Sequence, residues 1–319
     1  MSVVQTDRMT APDYATMIDA ETWDFICRTD SYYPPETATF SVDRQRDIYD
    51  TMCRAFFQGY PAGVTATDRS FGGVPCRLYP GAGGTVVYFH GGGFVVGGLH
   101  SHDDVCAEIR SVTGLTVVSV DYRLCPEHPH PAAYDDSVAA TKAVYAEFGG
   151  PLVLAGDSAG GNLAAAVAAS VGRNGGCSVV GQVLIYPGLG GDMNAGSYLT
   201  HAKAPMLSRD DVIYYMGVRF GLAPGDTTRP DDVTATPLLD RDFSGLPPTL
   251  AIAAECDPLS DDCAAYAGRI VAAGGKARAV TEPGLVHGYL RARTAVGRAR
   301  ESFDRITGAI AAMAKGDWS

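Results

Sequence analysis

The chain has 319 residues, 46% of them hydrophobic and 19% charged, and a formal net charge of −11. That size and apolar content suit one large α/β domain carrying a cap. The acidic balance, with no basic stripe, argues against nucleic acid and anionic membranes as partners.

The opening residues, MSVVQTDRMTAPDY, combine neither a basic n-region nor an apolar core, so no signal peptide is expected. No apolar run approaches a membrane span. Eight cysteines are scattered without a C-x-x-C pair. They fit reduced, packed thiols in a cytoplasmic protein rather than a disulfide framework or zinc site. Residues up to about Pro61 read as helical in pieces, with aromatics at Trp23, Phe25, Tyr32 and Tyr33. VTATDRSFGGVPCRLYP then alternates around Gly72-Gly73, a hairpin signal.

After the hairpin, strands and helices alternate. TVVYFH, LTVVSVDY, PLVLAGDS, GQVLIYP, PTLAIAAE and KARAVTEP read as strands. Helices are expected over about 103–112, 132–148, 159–171, 261–273 and 295–314. Such alternation predicts an α/β fold, a mostly parallel sheet with helices on both faces. One segment breaks the rhythm: 189–225 contains no strand pattern, and SRDDVIYYMGVRFG within it reads as an inserted amphipathic helix. The chain is therefore expected to be a single domain over 1–319. Its cap over the carboxyl edge of the sheet would come from about 1–45 and 189–225.

The stretch LVLAGDSAGGNLA runs from a buried strand into a helix rich in small residues. Its centre, Gly156-Asp157-Ser158-Ala159-Gly160, fits G-x-S-x-G, a turn that exposes the serine at the carboxyl edge of a sheet. A serine hydroxyl needs an adjacent base, itself oriented by a third group. On such an elbow the partners follow in the order Ser, acid, His. Of seven histidines, only His201 and His287 follow Ser158. His201 falls in the inserted segment, before any acid-bearing strand end; His287 lies in EPGLVHGYL, a glycine-flanked loop after a strand. Between them LAIAAECDPLSDD offers Glu255, Asp257, Asp261 and Asp262. Asp261 and Asp262 read as first-turn helix residues. Asp257 leaves the strand directly and is the expected acid, with Glu255 second. YFHGGGFVVGG ends a strand at His90 and then places Gly91, Gly92 and Gly93, whose backbone N–H groups, with that of Ala159, would face a developing oxyanion. Neither the Walker spacing nor G-x-G-x-x-G fits the same glycines.

These motifs, HGGGF, DYRLCPEHPHPAAYDD, GDSAGG, DPLSDD and HGY, resemble those of the hormone-sensitive-lipase-like branch of the α/β-hydrolases, in particular its bacterial acetyl-esterase-like members. The likeness runs from about residue 41 to the end. It implies Ser158 as nucleophile, Asp257 as acid and His287 as base. His90 would brace the glycine loop, and Glu127 stands at the position of a supporting carboxylate. It also implies short-acyl carboxylic esters as small-molecule substrates and no cofactor or metal. Two departures stand out: Cys125 where Ala is common, and Tyr289 where Phe is common, which would add a hydroxyl near the acyl pocket. An amidase, lactonase or carbamate hydrolase with the same triad is an alternative. So is a binding protein on this fold, like the plant gibberellin receptors, which lack the histidine that this chain retains. The natural substrate and the oligomeric state, a homodimer included, stay open.

Overall fold

The computed structural model describes residues 12–173, 176–228 and 230–318. The first eleven residues, which belong to the expected cap segment and to the stretch read for a leader, lie outside that description.

The strands are β1 (Thr67–Phe71), β2 (Val74–Tyr79), β3 (Thr85–Phe89), β4 (Thr116–Val120), β5 (Leu152–Asp157), β6 (Val179–Ile185), β7 (Thr249–Cys256) and β8 (Ala277–Val286). They form one sheet in the order β1-β2-β4-β3-β5-β6-β7-β8. The expected hairpin turns at Gly72-Gly73, β2 pairs antiparallel with β4, and every later pairing is parallel. β3, β4 and β5 are buried at every position, as their unbroken aliphatic runs require of strands covered on both faces.

The helices are α1 (Tyr14–Met17), α2 (Ala20–Asp30), α3 (Val42–Phe56), α4 (Asp103–Thr113), α5 (Ala132–Phe148), α6 (Ala159–Val167), α7 (Ser197–Thr200), α8 (Arg209–Phe220), α9 (Ser260–Ala272) and α10 (Gly297–Ala314). Alternate strand residues feed two cores. Val86, Val153 and Ile185 pack with Ile109 of α4 and Phe303 and Ile306 of α10. On the other face Val87, Leu154 and Leu184 pack with Val144, Leu163 and Ile270 of α5, α6 and α9. The inserted segment contains α7 and α8, with a small apolar cluster of Met193, Tyr198, Leu207 and Ile213 that reaches the rest of the chain through Leu259. None of the described helices is long and apolar enough to cross a membrane. All eight cysteines are free.

Three boundaries differ from expectation. The α-helical ladder of α6 stops at Val167 and continues to Arg173 as a wider π-helical turn. α10 starts at Gly297, after a 3-10 turn over Tyr289–Thr294. β8 runs beyond Pro283 to Val286, because the strand bulges at Gly284 (φ 66°) instead of ending. The Gly284 N–H, displaced from the ladder, donates to Glu255 Oε2 at 2.7 Å. That contact gives Glu255 a structural task in β7 and delivers the chain to His287.

Candidate active site

β5 ends at Asp157 and α6 begins at Ala159, leaving Ser158 as the whole turn, at φ 54° and ψ −117°. A positive φ in a residue with a side chain is strained and persists only where its surroundings fix it. Here the Ser158 N–H donates to the Ile185 carbonyl at 2.9 Å, and the Asn162 N–H to the Ser158 carbonyl at 3.1 Å. The flanking glycines are steric necessities. A Cβ on Gly160 would stand 1.9 Å from the Phe89 carbonyl oxygen, and one on Gly156 2.4 Å from that of Gly160.

The loop after β8 brings His287 Nε2 to 2.9 Å from Ser158 Oγ. His287 Nδ1 lies 2.7 Å from Asp257 Oδ2. A carboxylate only accepts, so Nδ1 carries the proton and Nε2 is left to accept from the serine hydroxyl. Asp257 is 1% exposed, and its Oδ1 accepts the Leu259 N–H at 2.9 Å, which fixes the carboxylate plane. His201 sits elsewhere, facing the Tyr14 hydroxyl at 3.1 Å. Asp261 and Asp262 open α9 and bind the inserted segment: Asp261 Oδ2 accepts the Ser197 N–H at 2.8 Å, and Asp262 Oδ2 accepts the Leu189 N–H at 2.7 Å and the Tyr198 hydroxyl at 3.2 Å. Burial pushes the Asp262 carboxyl up to about 7 against these donors.

The glycine loop divides its labour. The Gly91 N–H donates to Asp157 Oδ1 at 3.0 Å, so Gly91 is removed from the expected set of oxyanion donors. The N–H groups of Gly92, Gly93 and Ala159 have no partner among the described residues. The Gly92 carbonyl accepts from Val95 and Val96 at 3.0 Å each, closing a tight turn. Asp157 also accepts the Tyr88 hydroxyl at 2.7 Å and faces His102 Nε2 at 3.2 Å. Burial alone would raise its carboxyl; the His102 ring and the hydrogen bonds from His102 and Tyr88 instead hold it well below the usual carboxylate range. His90 is fully buried, stacks on Tyr122 at 4.3 Å and directs Nδ1 to the Gly91 carbonyl at 2.8 Å, while burial pushes its ring down to about 3. It is therefore a neutral brace. Glu127 stands outside the pocket lining, paired with Arg46 at 2.7 Å. Arg46 donates onward to the Val95 carbonyl at 2.8 Å, so Glu127 reaches the glycine loop only at second hand.

Ser158 opens into a cavity of about 510 Å³. Tyr33 of the N-terminal segment, Tyr214 and Tyr215 of α8 and Phe94 beside the glycine loop line it, together with Met206 and Met216. Trp23, Phe25, Tyr32 and Phe220 do not; Phe25 is spent on Phe56, with ring centroids 5.5 Å apart. Tyr289 also departs from expectation. Its hydroxyl faces Ser302 Oγ of α10 at 2.7 Å, away from the cavity, while its ring supports Tyr186, itself 4.8 Å from the His287 ring. Residues that the sequence did not single out, Tyr49, His102, Tyr186, Arg219 and Arg291, line the cavity as well. Of these, Tyr186 lies in the strand run GQVLIYP and Arg291 two residues past the HGY motif.

The α/β hydrolase fold family matches residues 86–291. The chain is 41% identical to the carboxylesterase NlhH of Mycobacterium tuberculosis over 233 residues, 70% of this chain and 72% of that protein. It is 31% identical to the ethyl acetate hydrolase of Pseudomonas putida, across 77% of this chain and 81% of that one. Among solved structures, a hyperthermophilic esterase from the archaeon Pyrobaculum calidifontis superposes with a TM-score of 0.83 at 32% identity, covering 93% and 99% of the two chains. An esterase described as from the bacterial hormone-sensitive lipase family gives the same TM-score at 26% identity, with the same coverage.

Proposed function

This chain belongs to the hormone-sensitive-lipase-like α/β-hydrolase-fold family and is a carboxylic ester hydrolase; on that premise we propose that it is a serine esterase for short-acyl esters, with Ser158 as nucleophile, His287 as base and Asp257 as the orienting acid. Ser158 Oγ attacks the ester carbonyl carbon while its proton passes to His287 Nε2. Collapse of the tetrahedral intermediate breaks the bond to the alkoxide, which takes that proton and leaves as the alcohol. Water then attacks the acyl-enzyme with the same base, releasing the acid and restoring the serine. Buried Asp257 holds the imidazole by Nδ1–H and stabilises its protonated form. The N–H groups of Gly92, Gly93 and Ala159, the last at the amino end of α6, stabilise the oxyanion.

The observation that carries this reading is the continuous Ser158–His287–Asp257 contact, at 2.9 Å and 2.7 Å. Short acyl chains are supported by the bulky lining contributed by Tyr33, Met206 and Tyr215. The described part of 1–45 and the segment 189–225 serve as the cap. A fluorophosphonate probe followed by peptide mass spectrometry tests the assignment. One adduct on Ser158, absent from Ser158→Ala, is expected; stoichiometric labelling of another residue sinks it.

A further inference from the structure

We propose that the pocket selects esters that also carry an anionic group, a carboxylate above all, and that Arg291 with Tyr33 and Tyr49 forms the subsite for it. This deepens the esterase reading and rests on it. Arg291 follows the catalytic loop, lines the same cavity as Ser158 and is only partly exposed. Its guanidinium donates from Nη1 to the Ser101 carbonyl at 3.0 Å and from Nη2 to the Tyr49 hydroxyl, both neutral acceptors. Nε–H has no acceptor among the described residues, and no described carboxylate lies within 4.0 Å of the group.

The contrast with Arg293, two residues on, is instructive. Arg293 is buried, and Asp104 meets it at 2.8 Å and Glu108 at 2.7 Å, the counter-charges a buried cation requires. Arg291 has been left without them. Burial works against its charge, yet the surrounding groups hold the guanidinium well above its ordinary range; of those groups Cys53, Tyr49 and Tyr33 are neutral near pH 7. Only Asp157 is ionised, and its oxygens are already taken by Tyr88, Gly91 and His102. Arg219, the other arginine lining the cavity, is not equivalent. Its guanidinium carbon stands 3.6 Å from the Phe94 ring centroid, against 5.0 Å between Arg291 and Tyr49, and it spends its donors on Ala235, Asn162 and His130. Arg291 therefore keeps unused donor capacity on a side chain that lines the substrate space, where a planar anion makes the strongest use of a guanidinium fork. Asp30, exposed at the edge of the cavity, limits the site to one anionic group rather than a polyanion.

The test compares half-esters with neutral near-isosteres. Monoethyl succinate, glutarate and adipate are each paired with the ethyl ester of the matching methyl-keto acid, ethyl levulinate for succinate. Acetate esters of ω-hydroxy acids, against those of the matching hydroxy ketones, probe the alcohol side. kcat/KM ratios are taken within each protein, so that any general loss of activity cancels. At one chain length the wild type is expected to favour the anionic member about tenfold or more. Arg291→Met brings that ratio to parity, Arg291→Lys keeps most of it, and Tyr49→Phe, the milder change, lowers it. A wild type that never prefers the anionic member, or an undiminished ratio in Arg291→Met, overturns the proposal. Calorimetric binding of the same pairs to Ser158→Ala reads the subsite without turnover. Absence of hydrolysis would therefore count against the esterase reading, and equal binding of the paired compounds against the subsite.

Discussion

Asp157, the residue before the elbow serine, accepts the Gly91 N–H at 3.0 Å across 66 positions of sequence. The tip of β5 and the glycine loop are thereby locked to each other. Ser158 and the N–H groups facing it are set by one buried carboxylate, and the loop starts from a fixed point rather than from the flexibility of three glycines.

Replacing that carboxylate should misplace the loop without touching the nucleophile. Asp157→Asn keeps the shape but removes the charge that Gly91, Tyr88 and His102 converge on. A kcat loss of roughly 10- to 100-fold is expected, somewhat less than direct removal of an oxyanion donor, with KM little changed. Steady-state kinetics on p-nitrophenyl butyrate reads this. Unchanged kcat would mean that the loop holds its shape alone.

The triad gives the steepest expected losses. Ser158→Ala abolishes hydrolysis, and Asp257→Asn lowers kcat on the order of 10⁴-fold by analogy with other triads. His287→Ala falls in the same range. His201→Ala should lose far less, since that ring contacts Tyr14 rather than Ser158. Melting curves on all four separate chemistry from folding, and a more damaging His201 substitution would overturn the assignment.

Gly92 tests the turn rather than the hole alone. Its φ is 133°, and a Cβ there would stand 2.1 Å from the Val96 carbonyl oxygen. Gly92→Ala must open the turn that aims two of the donors, and a kcat decrease of about 10²-fold or more is expected. Far-UV circular dichroism should stay native, because residues 91–96 form a loop that contributes no helix or strand. Full activity would place the oxyanion elsewhere.

Asp262 couples stability to pH. Its carboxyl titrates near 7 in the folded chain and at an ordinary 3.8 when unfolded. Between those values the folded state holds a proton that the unfolded state has released. Its stabilising contribution is full below about 4 and is lost as pH rises through 7, to a limit on the order of 4 kcal/mol. Asp262→Asn should therefore gain on the wild type between pH 5 and pH 8 in urea titrations. A stability difference independent of pH refutes the linkage.

The acyl series probes the cavity wall. Each buried methylene adds about 0.8 kcal/mol until the space is filled, after which overpacking costs about 1–3 kcal/mol. kcat/KM on p-nitrophenyl esters should peak between acetyl and hexanoyl and fall by dodecanoyl. Steady growth to dodecanoyl would show an open channel in place of a closed wall.

Much of the site was legible because chain order is a strong filter: two histidines follow Ser158, and only one follows an acid-bearing strand end. Contacts between distant segments were not legible. Gly91 looked equivalent to Gly92 and Gly93 until Asp157 claimed its N–H. The Tyr289 hydroxyl was expected in the pocket because Ser302, which it meets, lies on a helix whose placement the local sequence does not reveal. Pro283 and Gly284 read as a strand ending, since nothing local shows that Glu255 would hold the displaced backbone. Arg291 and Arg293 stand two residues apart in LRARTA and look alike, and only the fold separates the cation with carboxylate partners from the one without.

The bulge in β8 also has an arithmetic of its own. From Ala254 to Cys256 β7 advances two residues, while their partners Glu282 and Val286 on β8 are four apart, a surplus of two. Side chains alternate between the faces of a sheet, so an even surplus preserves parity and an odd one inverts it. Removing one residue between Glu282 and Val286 would turn Leu285 and Val286 inside out and swing His287 to the wrong side of the sheet, whereas removing two would restore its direction at a shorter reach. The histidine is thus addressed by counting, and single-residue insertions and deletions in this short segment should be far more damaging than paired ones.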